Sequence, residues 1–384
     1  MIQLKGIAWD HPRGYEPLIA ASKEFSKSNP NVDIKWDIRS LKEFGDMPIE
    51  DLIGSYDFIT IDHPYMGQAD ANNLLLNLRK QIPSDVLKMH SEHSVGPSFE
   101  SYNLNNKLYA LPVDAAALIA AYRKDLIADF GLSDLPKTRA GLFDYYKHLP
   151  SDVSVAWALC PTDFWCAFLT ICAQEGGRDF VKDFTVDNEI GTAALDEIKR
   201  HLEFIHPESM NWNPIQILDK MGEGNEIVYS PYLFGYTNYS REGYAKNLVH
   251  FTNSPVNPKH KISTILGGVG LAVSSQCKEA KLAADFVNFV AHPEIQEGIY
   301  TENGGQPGNL SAWTSKRNND MCTKFFIDTL KTMEDAYVRP QHPMWNSFQE
   351  QGADLLHEGV LKNTESERLM KQLNELYKTV VCNG

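Results

Sequence analysis

The sequence predicts an α/β protein built as two lobes. Through the first third, apolar runs of strand period and of helix period alternate, as they do in proteins with parallel sheets. At 384 residues the chain exceeds what one ordinary hydrophobic core serves, so two or more lobes are expected. Two copies of one triplet, Asp10-His11-Pro12 and Asp62-His63-Pro64, each close an apolar run. Proline cannot continue a strand's hydrogen-bond ladder, so both triplets mark the point where strand becomes loop.

Taken in order, residues 4–8 form the first strand, closed by Trp9 and the first triplet. Residues 15–28 place Leu18, Ala21 and Phe25 at helical spacing, and Asn29-Pro30 stops them. Residues 32–38 alternate as a half-buried strand does. A short helix near 49–53 leads into a third strand at 58–61, closed by the second triplet. This β-α-β-α-β rhythm predicts a mainly parallel sheet with right-handed crossovers. Apolar runs at 108–112 and 115–122 flank Val113-Asp114 and are read as the crossing into the second lobe. Beyond it the pattern continues with a helix at 139–148, a strand at 153–159 and a helix at 163–174. Helices near 192–204 and 214–221 and strand-like runs at 226–229 and 248–252 follow. Residues 266–273 read as a second crossing strand, whose glycines let another backbone or a ligand come close. The next helix carries Leu282, Phe286, Phe289 and Val290 on one face and stops at His292-Pro293. Loops at 303–308 and 339–345 precede helices near 348–355 and 366–377.

Composition narrows the function. With 43% hydrophobic and 22% charged residues the chain is globular. A net charge of −14 repels nucleic acid, which leaves small molecules or proteins as partners. The six cysteines show neither a CxxC pair nor zinc spacing, so free thiols and a reducing compartment are expected. No run is apolar enough for long enough to cross a bilayer, so no membrane insertion is expected. A monomer is expected. The first strand begins within a few residues of Met1. A periplasmic or extracellular location therefore requires a leader removed ahead of it, and a native start at Met1 places the chain in the cytoplasm.

Several motifs fall into one pattern: Asn29-Pro30-Asn31-Val32, Leu108-Tyr109-Ala110-Leu111-Pro112, Gly268-Val269-Gly270-Leu271-Ala272-Val273, and the helix at 280–292. On these, over essentially its whole length, the chain resembles the extracellular solute-binding proteins of ABC importers, the maltose-binding-protein-like group. Trp9 to Tyr15, Ile61 to Pro64, Gly235-Tyr236-Thr237-Asn238-Tyr239, Gly304 to Gly308 and Val338-Arg339-Pro340 are similar to one branch of that group. The resemblance implies a periplasmic-binding-protein-like fold of type II. Each lobe would be a mixed, mainly parallel sheet flanked by helices, and the two would be hinged around a central cleft that shuts on a solute. It implies lobe one at 1–113 with 274–335, lobe two at 114–273 with 336–384, and an importer's membrane subunits as partner if the chain is exported.

In open α/β sheets ligands bind beyond the carboxyl ends of the strands, which points to both triplets. Trp9 and Tyr15 offer aromatic faces for a sugar ring. Arg13 can clamp a carboxylate bidentately or instead pair with Asp10 or Asp62 and hold the loops. Asp10, His11, Asp62 and His63 supply hydrogen-bonding groups, and Asp114 can accept hydroxyl hydrogens. Gly267 and Gly268 can present backbone N–H groups. Tyr236 is the preferred contact from lobe two. The resemblance brings Gln306, Arg339, His342 and Trp345 to the cleft. No HxH or HExxH spacing exists, so no metal is expected, and no cofactor motif is present. The expected function is trapping a small polar solute, a sugar or a carboxylate-bearing compound. The alternative is a cytoplasmic lyase, isomerase or hydrolase with His11 and His63 as acid–base residues.

Overall fold

The computed structural model describes residues 1–132, 134–182 and 185–382. Its main strands are β1 (Ile2–Trp9), β2 (Val32–Arg39), β3 (Phe58–Ile61), β4 (Ala110–Tyr122), β5 (Ser154–Val155), β6 (Ile227–Phe234), β7 (His250–Thr252) and β8 (Leu266–Val273). The longer helices are α1 (Pro12–Ser28), α2 (Ser84–Glu92), α3 (Arg139–Lys147), α4 (Pro161–Gly176), α5 (Asn188–Leu202), α6 (Pro214–Glu223), α7 (Ala280–Ala291), α8 (Phe325–Glu334), α9 (Trp345–Leu361) and α10 (Ser366–Cys382). The chain divides into two units. The first holds Met1–Ala116, Leu266–Asp320 and Val338–Asn346, and the second Ala117–Ile265, Met321–Tyr337 and Ser347–Gly384. Among the described residues no helix is long and apolar enough to cross a membrane, and Cys160, Cys172, Cys277 and Cys322 are free thiols.

In the first unit β1 lies between β2 and β3, parallel to both, as a right-handed β-α-β-α-β start dictates. β8 then runs antiparallel to β3, with Gly270 opposite Ile61. Helices α1 and α7 bury their apolar stripes together. The Phe25 ring meets Phe286 and Phe289 edge-on at 5.3 Å each. Across the sheet Trp36 stacks near Phe58, ring centroids 5.9 Å apart, over Gly6, where any side chain would strike the indole. In the second unit β4 pairs antiparallel with β6 and β7, and β6 pairs parallel with β5. Helix α4 is buried over most of its circumference, from Asp163 to Gln174. An apolar helix of this kind is a core element.

The structure departs from the sequence expectations in three places. Residues 110–112 and 115–122, from the two expected runs, belong to one strand, β4, because Asp114 finds an arginine partner and need not break the strand to reach water. The strand expected at 153–159 shortens to β5. The Leu159 N–H donates to the Ser209 and Trp212 carbonyls instead of a neighbouring strand. The unit boundaries also shift. Residues 266–273 sit in the first unit because β8 pairs with β3. Residues 321–335 sit in the second, where Phe325 of α8 packs edge-on against Phe251 at 4.9 Å. Residues 338–346 return to the first, held there by Arg339 and Gln341.

Candidate functional site

β1 and β3 are adjacent and parallel, so their carboxyl ends open on one edge of the first unit. Both triplets stand on that edge. Trp9 closes β1 and is buried, its ring 5.4 Å from that of Phe44. Gly14 faces it where a Cβ would lie 2.6 Å from the indole. Asp10 is exposed. His11 is buried and caps α1, its Nδ1 accepting the Arg13 N–H at 3.0 Å. Burial, with the Arg13 charge beside it, pulls the imidazole down to about 3. It is a neutral acceptor near pH 7 and no proton shuttle.

Arg13 reaches 101 positions along the chain to Asp114, Nε to Oδ2 at 2.7 Å and Nη2 to Oδ1 at 2.5 Å. Both side chains are sealed, at 4% and 0% exposure. Burial pushes the Asp114 carboxyl up, against the opposing guanidinium. The flanking backbone is laced as tightly. The Ala115 N–H donates to the Gln306 carbonyl at 3.0 Å, and the Gln306 amide donates back to the Ala115 carbonyl at 2.8 Å. Gly268 lies against this point with φ +106°, where a Cβ would stand 2.5 Å from the Asp114 carbonyl oxygen. Only glycine tolerates that conformation and that approach.

The second triplet is arranged otherwise. Asp62 Oδ1 accepts the His63 N–H at 2.8 Å and lies 3.0 Å from His63 Nδ1. Its Oδ2 receives Arg339 Nη2. The Arg339 backbone N–H donates to His63 Nε2 at 3.2 Å. Burial alone would raise the Asp62 carboxyl, but Arg339 and His63 hold it well below the ordinary carboxylate range. His63 is wholly buried, and burial drives its imidazole down against the pull of Asp62. Gln341 donates to the Ser101 carbonyl, and the Tyr102 hydroxyl donates to the Ile61 carbonyl at 3.3 Å.

Placement corrects several expectations. Arg13 is not a free carboxylate clamp, and its partner is Asp114 instead of Asp10 or Asp62, because Asp114 is the carboxylate buried beside it. Trp9 and Trp345 are core residues, not open stacking platforms. His11 and His63 each accept a backbone N–H, so neither is poised for acid–base work. Gln306 spends its amide on the backbone. His342 Nδ1 accepts the Met344 N–H at 3.2 Å, shaping the turn into α9. Tyr15 is half-buried, and Gly267 lies within β8. Tyr236 belongs to the second unit, where it is buried at the start of a short turn (Thr237–Ser240). Sequence reasoning missed Phe44, Gln341 and Gln296, whose Oε1 accepts the Gly308 N–H at 2.7 Å. No spacing rule marks residues that act through such distant partners.

Residues 20–320 match the model of a family described as bacterial extracellular solute-binding protein. Among curated proteins, the diacetylchitobiose-binding protein DasA of Streptomyces coelicolor is 22% identical over 56% of this chain and 52% of its own length. The maltodextrin-binding protein MdxE of Bacillus subtilis is 22% identical over 67% of this chain and 63% of its own. A galactooligosaccharide-binding protein of the same bacterium is 24% identical over 64% and 58%. The chain thus spans roughly half to two thirds of the curated relatives it matches. Among solved structures, maltose-bound MalE3 of T. maritima matches with a TM-score of 0.84 at 17% identity, over 99% of this chain and 100% of that one. A solute-binding protein of Agrobacterium radiobacter K84 in complex with ribitol gives 0.83 at 18%, over 98% of each. Each of these is a binding protein, which leaves the acid–base enzyme without support.

Proposed function

Because the chain belongs to the bacterial extracellular solute-binding protein family and has the α/β fold of MalE-like, two-lobed binding proteins, we propose that it binds an uncharged, polyhydroxylated solute. The solute class is a sugar, a short oligosaccharide or a polyol, carried outside the cytoplasm to an ABC importer. The observation that carries this reading is charge balance at the strand ends. Of the three buried arginines at this edge, Arg13 and Arg339 already face a carboxylate, Asp114 or Asp62, and Arg39 at the end of β2 donates to the Thr60 and Glu43 carbonyls. An acidic ligand has to pull a guanidinium away from its partner and strand a buried charge, a change that costs about 3–5 kcal/mol for a sealed pair. Neutral hydroxyls can instead donate to the lone pairs left over on Asp62, whose side chain keeps 20% exposure, and on the exposed Asp10. The half-buried Tyr15 ring offers a face for the apolar side of a sugar. The relatives named for diacetylchitobiose, maltodextrin and galactooligosaccharide and the structures holding maltose and ribitol support the same class.

A thermal-shift screen followed by calorimetry tests it, with neutral oligosaccharides and polyols set against sugar acids and dicarboxylates. A true ligand stabilises by RT ln(1 + [L]/Kd), about 2.7 kcal/mol at a hundredfold excess over Kd. Stabilisation by a neutral compound is the expected result. A response confined to acids would overturn the charge-balance reading.

A further inference from the structure

Residues 338–346 are an excursion of the chain. They belong to the first unit, while Met321–Tyr337 before them and Ser347–Gly384 after them belong to the second. Up to Trp345 the segment has no helix or strand of its own, so side chains and close packing must seat it. Four contacts do so. The Arg339 guanidinium meets Asp62, and the Arg339 N–H donates to His63 Nε2 at 3.2 Å. The Gln341 amide reaches the Ser101 carbonyl. Gly67 leaves room for the backbone of Gln341 and His342 to lie directly against it.

We propose that this segment is a strap whose seating on the first unit is gated by protonation of His63. An imidazole that accepts a backbone N–H at Nε2 carries its single proton on Nδ1, and that nitrogen stands 3.0 Å from Asp62 Oδ1. The ring therefore lies between a carboxylate on one side, near Nδ1 but outside hydrogen-bond geometry, and the strap's backbone on the other. A second proton has only Nε2 to occupy. There it turns the acceptor into a donor that points at another N–H, and it places a positive ring beside the Arg339 guanidinium. The strap loses a hydrogen bond and gains a repulsion in one step.

The charged and titratable groups around the ring are few. Asp62 faces it from its own loop and opposes the repulsion, and Arg339 faces it from the strap. Tyr102 borders Asp62 from the neighbouring turn and also feels Asp114. Seated, the ring is held below its ordinary value of 6.5 by burial. Once the strap lifts, the ring is free to take a proton at that ordinary value. Acid therefore favours the lifted state. At pH 5.5 the lifted population should exceed its neutral-pH level, by at most roughly tenfold, the limit one unit below the pKa of the released ring. The strap carries His342 and Trp345 and supplies the counter-charge of Asp62, so lifting it also alters the strand-end edge. His63 is a positioning residue in this scheme. The inference stands on first-unit geometry and not on the identity of the solute.

Amide hydrogen exchange tests it without any ligand. Protection factors, corrected for intrinsic exchange, are compared at about pH 7.5 and about pH 5.5 in the native chain and in His63→Gln, whose amide oxygen accepts without titrating. The expected result is a loss of protection at Arg339, at most roughly tenfold, on acidification, absent in the variant, with α4 amides unchanged in both. Equal acid dependence in both proteins, or none in the native chain, overturns the proposal. Should the variant not fold, nitrogen-15 shifts of the His63 ring in the native chain decide. An Nδ1–H tautomer at neutral pH supports the proposal, and the Nε2–H tautomer or a charged ring overturns it.

Discussion

Asp10-His11-Pro12 and Asp62-His63-Pro64 are the same three residues at the ends of adjacent parallel strands, yet the molecule uses them in opposite ways. In the first triplet the histidine caps the following helix through Nδ1 and the aspartate faces solvent. In the second the aspartate caps a short turn (His63–Tyr65), which leaves the histidine to reach Arg339. A one-residue shift in where the helical segment starts decides the difference, at Pro12 after the cap His11 and at His63 after the cap Asp62. The first leads into a 17-residue helix whose first turn needs an acceptor. The second leads into a turn of 3 residues that continues directly into a 6-residue helix (Met66–Ala71). Each triplet is also tied to an arginine–carboxylate pair. One pair is sealed, at 4% and 0% side-chain exposure, and the other is partly open, at 3% and 20%. Local sequence sets where the loop begins, and the distant partner sets what each side chain does.

The sealed and the open pair should part most sharply under truncation. Asp114→Ala strands the Arg13 guanidinium in a closed interior and should cost about 3–5 kcal/mol. Asp62→Ala leaves Arg339 near an opening that water can enter and should cost about 1–3 kcal/mol. Urea unfolding monitored by far-UV circular dichroism measures both. The double change Arg13→Met with Asp114→Leu should recover much of the larger loss, because apolar residues of similar volume replace buried pairs at little cost. Equal losses at Asp114 and Asp62 would erase the distinction drawn from burial.

Acid gives the next largest effect. His11 is held at about 3 in the folded state against an ordinary 6.5, so the unfolded chain binds the proton first. Its contribution to stability is complete above 6.5 and is lost as pH falls toward 3, at about 1.4 kcal/mol per pH unit. His11→Asn keeps a side-chain acceptor for the Arg13 N–H but cannot titrate, and asparagine is a good helix cap. The variant should show a shallower fall in urea midpoint between neutral pH and pH 5. An unchanged slope would mean that His11 is protonated in the folded protein and does not cap α1 as a neutral ring.

Much of this arrangement is legible in the amino-acid sequence alone. The alternation of residues 32–38, the stop at Asn29-Pro30 and the prolines after both histidines place β1, α1, β2 and β3, because local periodicity and backbone geometry depend on near neighbours. The triplets also fall together, at the carboxyl ends of adjacent parallel strands. Side-chain roles are not legible in the same way. Arg13 carries no mark of a partner 101 positions on, and Asp114 in a strand interior reads as a break because its neutralising charge comes from elsewhere. The 338–346 segment falls on the wrong side of the expected unit boundary for the same reason: its seating rests on Asp62, His63 and Ser101, hundreds of positions upstream. Trp9 and Trp345 look like open platforms because an aromatic residue beside a loop has the same local signature whether it is covered or not.

The smallest structural effect belongs to Asp10, which makes it the sharpest probe of what the strand-end edge is for. Because Asp10 is exposed, Asp10→Asn should move stability by no more than about 0.5 kcal/mol. Any loss of solute affinity then reports a lost contact instead of a disturbed fold. If a ligand hydroxyl donates to its carboxylate, the weaker amide acceptor should raise Kd roughly tenfold, close to the 1.4 kcal/mol expected for a hydrogen bond to a charged group. Asp62→Asn, by contrast, should weaken affinity and stability together, since the same carboxylate holds Arg339 and His63. Calorimetric titration of both variants with one solute separates the two cases. Were Asp10→Asn to leave Kd unchanged, the solute would be confined to the Asp62 side of the edge, and the first triplet would serve only to start a helix.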